Sequence, residues 1–485
     1  MSPALLLLGV LTYFALLLVL ARCVSRGSGA EGFYVGGRES PWPVVAFGMI
    51  GTSLSGVTFI SVPGSVASSG LSYLQVTAGY VAGYVAIAFV LLPAYHRLGV
   101  ASIYELLGER LGAPARRLGA GYFVLSRTVG ATARLYLVVQ VLHTLILGPL
   151  GVPFALGAAV VLAMILLYTV DGGVKALVWT DTLQTAGMLV GLLVCTVLLW
   201  RADAFAQLDA AGLTRVWEGD PLSRDFAAKA VLAGMFITIA MTGLDQEMMQ
   251  KSLSVAKLRD AQKNLLLLAA LLVLVIGAFL LLGGLLTLFA REHGLAAKGD
   301  ALFPTVVMQH LPAWVQAVFV LALVSALLPS ADGALTALTA STCLDLLRVP
   351  REDTRTRRRV HLGFAALFLL LVLGFKALGN TGMVFLILKL AGYTYGPLLG
   401  LFAHAMFTPR PVSGRALVLM CTVAPLLGAV LDFGQPWGGY QIGLELLVLI
   451  GSLTWAGLYL VSRRPVAGIT PASAASHRAK ATRVP

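Results

Sequence analysis

Apolar residues run along this chain in blocks of about 20, parted by short stretches rich in glycine, proline and basic residues. A helix rises about 1.5 Å per residue, so such a block crosses a bilayer core of about 30 Å. The pattern predicts thirteen spans, roughly 4–21, 43–64, 70–95, 115–146, 152–169, 176–200, 227–250, 262–290, 313–345, 360–377, 382–407, 416–431 and 440–461. Backbone in hydrocarbon must satisfy its own hydrogen bonds, and helices do so segment by segment. The fold class read from this pattern is an all-α polytopic membrane protein in a lipid bilayer.

Charge orients the layout. The first block has no basic residue before it and Arg22 directly after it, the reverse of a secretory signal. It reads as a retained helix with the N-terminus outside. Of the 35 Lys and Arg, loops predicted inside hold 25 and loops predicted outside hold 7, while Arg127, Arg134 and Lys389 fall within spans. Positive residues favour the cytoplasmic side, so this split supports thirteen spans and a C-terminus inside. The run RVPREDTRTRRR (348–359) reads as an anchor against anionic headgroups, and 462–485 as a disordered tail.

Composition narrows the function. The chain is 58% hydrophobic and 12% charged, against roughly 25% charged in soluble domains. The net charge of +13 is explained by the basic inner loops, so no nucleic-acid partner is expected. Cys23, Cys195, Cys343 and Cys421 show neither disulfide nor zinc-ligand spacing. Without a P-loop, nucleophile elbow or His/Cys cluster, nothing suggests an enzyme.

Two spans carry polar interruptions. The second holds Gly48-Met49-Ile50-Gly51-Thr52-Ser53-Leu54-Ser55-Gly56-Val57-Thr58, then Pro63 and Gly64, and the seventh holds Met241-Thr242-Gly243-Leu244-Asp245-Gln246-Glu247. Such stretches can unwind and aim free carbonyls and hydroxyls at a cation. Tight packing through small residues is the alternative for the first. Matching breaks in two five-span halves are the sign of an inverted repeat.

Four segments resemble the sodium:solute symporter family, which includes sodium–glucose, proline, pantothenate and sialic acid transporters. They are GTSLSGVTFISVPG (51–64), GGVKALVWTDTLQTAGMLVG (172–191), DQEMMQKSLSVAKLRDAQK (245–263) and SADGALTALTASTCLDLL (330–347), with GYTYGPLLGLF (392–402) after them. The second is similar to the family's GG-x-x-AV-x-x-TD-x-x-Q, the third to its Q-x-x-x-QR. The resemblance implies a LeuT-type inverted repeat: a leading helix and loop (1–42), a ten-helix core (43–407, with repeats 43–200 and 227–407) and two trailing helices (408–461). It also implies Na⁺ as coupling ion, held by the carbonyls of Gly51, Leu54 and Ala326 and by two adjacent hydroxyls. Those last positions read Pro329 and Ser330, so one hydroxyl is missing; the proline also frees the Ser325 carbonyl from its helical donor. A second cation or proton position maps to Asp181 and Asp332 with Gly333, where family members often have serine.

Substrate positions in the family's sugar and sialic acid transporters map to Ser53, Ser55, Thr58 and Thr77, with Gln75 close by. Arg127 and Arg134 lie seven residues apart on one face of the fourth span. Arg127 resembles the sialic acid transporters' carboxylate-binding arginine, which points to an anionic, carboxylate-bearing solute. The alternatives are snorkelling toward the cytoplasm, or pairing with Asp181 or Glu247. The expected activity is sodium-coupled symport of a small polar solute across the plasma (inner) membrane by alternating access, for which a single copy suffices. A proton-coupled or uncoupled carrier and a membrane solute sensor are the competing readings.

Overall fold

The structure is a computed structural model that describes residues 2–26, 29–220, 223, 226–378, 383–408, 410–434, 443 and 445–462; for 57, 383–390 and 433–434 it describes the backbone alone. The tail from 463 and the side chain of Lys389 lie outside the described residues. Among the described residues the regular structure is helical throughout.

The chain opens with α1 (Pro3–Ser25). The second predicted span is two helices, α2 (Trp42–Ser53) and α3 (Gly56–Ser69), whose axes bend by 60°. Next come α4 (Tyr73–Leu98), α5 (Ala113–Leu147) and α6 (Phe154–Leu199). α6 runs for 46 residues but is interrupted at Gly173, where φ is 50° and ψ −145°, backbone that favours glycine. A methyl group there would also meet the Phe33 Cα at 2.4 Å. This break falls between the spans predicted at 152–169 and 176–200.

The seventh predicted span is likewise split, into α7 (Ala227–Gly243) and α8 (Gln246–Leu253), bent by 67°. There follow α9 (Leu258–Glu292), α10 (Ala313–Leu327), α11 (Pro329–Ser341), α12 (Thr354–Leu378), α13 (Met383–Phe407), α14 (Gly414–Gly434) and α15 (Leu446–Val461). Leu328, between α10 and α11, keeps helical angles, so Pro329 opens a new first turn without bending the span. Proline is tolerated there because the first amides of a helix have no intrahelical partner. Among the described residues, eight helical runs are long and apolar enough to cross a membrane, or ten if each bent pair counts as one.

Close packing positions the two breaks. α2 lies against α6 and α9. α4 and α7 touch backbone to backbone: a methyl group at Gly79 would sit 2.1 Å from the Val231 carbonyl, and one at Gly234 2.2 Å from that of Val76. Without a hydrophobic drive between helices in lipid, such small-residue contacts carry the association.

The basic run is used by the protein itself. Arg358 donates two hydrogen bonds to Asp171, at 2.9 and 3.0 Å. Arg357 is buried, with its guanidinium 4.3 Å from the Phe33 ring centroid. These arginines brace the end of α12 against the α6 break, a role the headgroup-anchor reading did not include.

Candidate functional site

At the first break the backbone is left open. The last α2 bond runs from the Leu54 amide to the Ile50 carbonyl at 2.8 Å. Ser55 is extended (φ −64°, ψ 166°), and its amide makes no backbone bond to the Gly51 carbonyl among the described residues. Gly51 is pinned by its own amide, which donates to Thr185 Oγ1 at 3.0 Å; that hydroxyl donates on to the Gly48 carbonyl at 3.2 Å. A methyl group at Gly51 would lie 2.6 Å from Thr185 Oγ1 and 3.5 Å from the Pro329 ring, and one at Gly56 2.1 Å from the Leu327 side chain. The break therefore faces the α10–α11 junction. Gly51, Leu54, Ala326 and Ser330 are all buried, and Ser330 Oγ has no hydrogen-bond partner. A buried hydroxyl without a partner is costly unless something else binds it. The donor set is all oxygen, as a hard cation requires, so these residues fit Na⁺.

The second break is closed. Tyr95 donates to the Gly243 carbonyl at 2.9 Å and Tyr104 to the Leu244 carbonyl at 3.1 Å. Asp245 caps α8, its Oδ1 accepting from the Glu247 and Met248 amides at 2.9 and 3.3 Å, while its Oδ2 accepts from Tyr395. Gln246 spends both ends of its amide on the Ile103 amide and the Ala101 carbonyl, at 2.9 Å each. Asp245 thus caps α8 and Gln246 braces it. Gln250 is fully buried, with both amide atoms unpartnered.

Between the breaks runs a buried line of charge. Arg127 gives Nε and Nη2 to one oxygen of Glu247, Oε2, at 2.7 and 2.6 Å, and its Nη2 lies 3.6 Å from Asp245 Oδ1. Glu247 Oε1 has no hydrogen-bond partner and stands 3.9 Å from the Lys251 ammonium. Lys251 Nζ donates to Asp181 Oδ2 at 2.5 Å and to Thr52 Oγ1 at 2.8 Å, and Thr52 donates to the same Asp181 oxygen at 3.2 Å. Lys251 and Asp181 are each about 1% exposed. Asp332 sits nearby in its own set of bonds: Tyr168 and Gln184 donate to Oδ2 at 2.6 and 3.2 Å, and the Gly333 amide to Oδ1 at 2.6 Å.

Several sequence expectations change here. Of the alternatives open for Arg127, pairing with Glu247 is the one realised. Lys251, counted among the inner-loop charges, is buried in α8 and ion-paired. Arg134 is half-buried and makes no ion pair among the described residues. Among the substrate positions, Ser53 lies 3.4 Å from the Tyr84 hydroxyl, and Ser55 and Thr58 open α3. Thr77 donates to the Tyr73 carbonyl of its own helix at 3.0 Å, and Gln75 accepts from the Glu218 amide at 3.3 Å. Sequence reasoning missed Thr52, Thr185 and the pivotal place of Lys251. A usable signal existed: Glu247 and Lys251, four apart, put opposite charges on one face of a short helix at membrane depth.

The model of the sodium:solute symporter family matches residues 33–422 of this chain. The chain belongs to that family. It is accordingly a sodium-coupled solute symporter, with Na⁺ as coupling ion, a small-molecule solute and a membrane setting. The chain is 26% identical over 451 residues to the human sodium/iodide cotransporter, covering 88% of this chain and 69% of that protein. To a sodium/sialic acid symporter of Aliivibrio fischeri it is 23% identical over 489 residues, covering 92% and 93%. A solved Na⁺-coupled sialic acid symporter in a substrate-bound outward-open state superposes with a TM-score of 0.82 at 16% identity, covering 94% of this chain and 98% of that one. At that identity the likeness is one of fold.

Proposed function

We propose that the chain moves one small polar solute inward with Na⁺ by alternating access, through a core with the LeuT-type inverted repeat. The ion lies at the first break, on the carbonyls of Gly51, Leu54 and Ala326 and the hydroxyl of Ser330. The unpartnered buried Ser330 hydroxyl, next in sequence to the Pro329 ring that packs on Gly51, carries this reading. Pro329 supplies no hydroxyl, and as the first residue of α11 it gives the Ser325 carbonyl no amide. Ser53, Ser55 and Thr58, at the same break, are the solute's nearest hydrogen-bonding groups in this proposal, with Gln75 and Thr77 behind them on α4. Thirteen crossings, N-terminus outside and C-terminus inside, in the plasma (inner) membrane, complete it; one copy holds the whole site.

The mechanism follows from the difference between the breaks. Tyrosines tie the second, so α8 moves with its neighbours. The first has carbonyls to give, and Na⁺ joining α2 to the α10–α11 junction would hold those elements in the arrangement that exposes the solute groups. Loss of the ion inside releases both. Uptake into proteoliposomes under an imposed Na⁺ gradient, with choline replacement at constant pH, is the direct test. Uptake indifferent to that replacement contradicts sodium coupling and favours the proton-coupled or uncoupled carrier.

For an anionic solute a specific observation shifts the weight between the arginines. Arg127 is neutralised by Glu247, so a solute carboxylate reaches it only by displacing that side chain. Arg134, two turns further along α5 and half-buried, has its charge open. A planar guanidinium favours a bidentate carboxylate, so Arg134 is the first contact of an anionic solute and Arg127 one that opens only if Glu247 moves.

A further inference from the structure

We propose that the Lys251 ammonium is a built-in cation at the second cation position, so that this chain couples one Na⁺, not two, to its solute. The inference rests on the sodium-symport reading above and concerns its stoichiometry. The second position implied by the resemblance consists of Asp181 and Asp332 with the backbone or hydroxyl of residue 333. In this structure that place already holds a positive charge. Lys251 Nζ reaches oxygens on two other elements, Asp181 Oδ2 on α6 and Thr52 Oγ1 on α2, with Glu247 Oε1 at 3.9 Å on its own helix. Each of these residues is at least nine-tenths buried.

Three features make the arrangement consistent. Lys251 stands where the quoted family pattern has arginine. An ammonium is a compact point charge with three directed donors, whereas a guanidinium is a broad plane; the ammonium is the better stand-in for a small monovalent ion. Gly333 stands where a serine is frequent, and a Cβ there would lie 2.5 Å from Glu247 Oε1. The carboxylate fills the space in which a serine hydroxyl would serve as ligand. Asp332, finally, has Oδ2 taken by Tyr168 and Gln184 and Oδ1 by the Gly333 amide. Asp181 retains one unpartnered oxygen, Oδ1, but a second cation there would stand within a few ångströms of the ammonium, both buried where screening is weak.

The experiment is equilibrium binding of ²²Na⁺ to purified protein, at ionic strength held constant with choline, which needs no knowledge of the solute. Wild type is expected to bind one Na⁺ per chain and Lys251→Gln two. The charge-neutral double variant Lys251→Gln/Asp181→Asn removes both the tether and the carboxylate and returns to one. Folding of each variant is checked by size exclusion and thermal unfolding. Two Na⁺ on wild type, or one on a folded Lys251→Gln, overturns this proposal and leaves the sodium site at Ser330 standing. No Na⁺ on wild type overturns the sodium site itself, and this inference with it. Should Lys251→Gln not fold, the wild-type count still decides.

Discussion

Ser330 and Arg127 are single residues whose surroundings set opposite expectations. The Ser330 hydroxyl has no protein partner, so its removal leaves the fold intact and falls on the ion. Ser330→Ala should weaken the apparent Na⁺ affinity by about tenfold, the loss of roughly 1.4 kcal/mol expected for a hydrogen-bond-strength contact to a charge. Sodium titration of thermal stability measures it, because a ligand that binds only the native state raises the melting temperature; an unchanged titration removes Ser330 from the site. Arg127 sits in a buried ion pair. Cutting one partner of a buried pair costs about 3–5 kcal/mol because the other charge is stranded. Arg127→Gln is therefore expected to lower the melting temperature sharply, and Arg127→Gln/Glu247→Gln to recover much of the loss. Additive effects of the two changes contradict the pairing. Arg134→Gln should leave stability nearly unchanged and, for a carboxylate solute, raise its apparent KM. The positions of both arginines on one helix face were legible in the sequence; which of them had a partner was not, since Glu247 is 120 residues away.

Elements explain why the ion is assigned to one break and not the other. Both interruptions are visible as glycine–polar clusters, and both are real bends. What differs is the supply of donors around them: Tyr95 and Tyr104, remote in sequence, close the Gly243 and Leu244 carbonyls, while no described amide closes that of Gly51. Pro329 adds an opening on the facing element. Pro329→Ser restores both a hydroxyl and a backbone donor, so it is expected to strengthen Na⁺ binding severalfold in the same thermal titration; weaker binding means that a freed Ser325 carbonyl is itself a ligand. The α8 cap gives a second check. Asp245 accepts two amides and the Tyr395 hydroxyl, so Asp245→Ala loses more than the roughly 1 kcal/mol of a simple N-cap. Asp245→Asn, which keeps the capping oxygen, should lose less, as read by thermal unfolding.

At the scale of the whole molecule the prediction is topological. With thirteen crossings, a cysteine placed at Glu352 lies inside and one at Lys298 outside. In cells carrying a variant without its four native cysteines, a membrane-impermeant maleimide is expected to label Lys298→Cys and to reach Glu352→Cys only after permeabilisation. The opposite pattern reverses the layout. Lys251, counted in an inner loop, lies in the buried core, and the charge asymmetry withstands its loss, because the other loops that carry it are unaffected.

The helical class, the places where helices break and the family to which the chain belongs were legible in the residues alone, because these depend on near neighbours: apolar run length, glycine and hydroxyl clusters, and motifs read in order. Partnership was decided only by the tertiary structure. Arg127 with Glu247, Lys251 with Asp181 and Thr52, and Gly51 with Thr185 each join residues 70 to 199 positions apart. A charged side chain at membrane depth must find a counter-charge, carbonyl or water, and local sequence states that need without naming what meets it. The paired Arg127 and the lone Arg134 looked alike as cations within one span, and the tethered Lys251 passed for an inner-loop charge. Packing separated them, because the low dielectric of a helical core makes each contact of a few ångströms decisive.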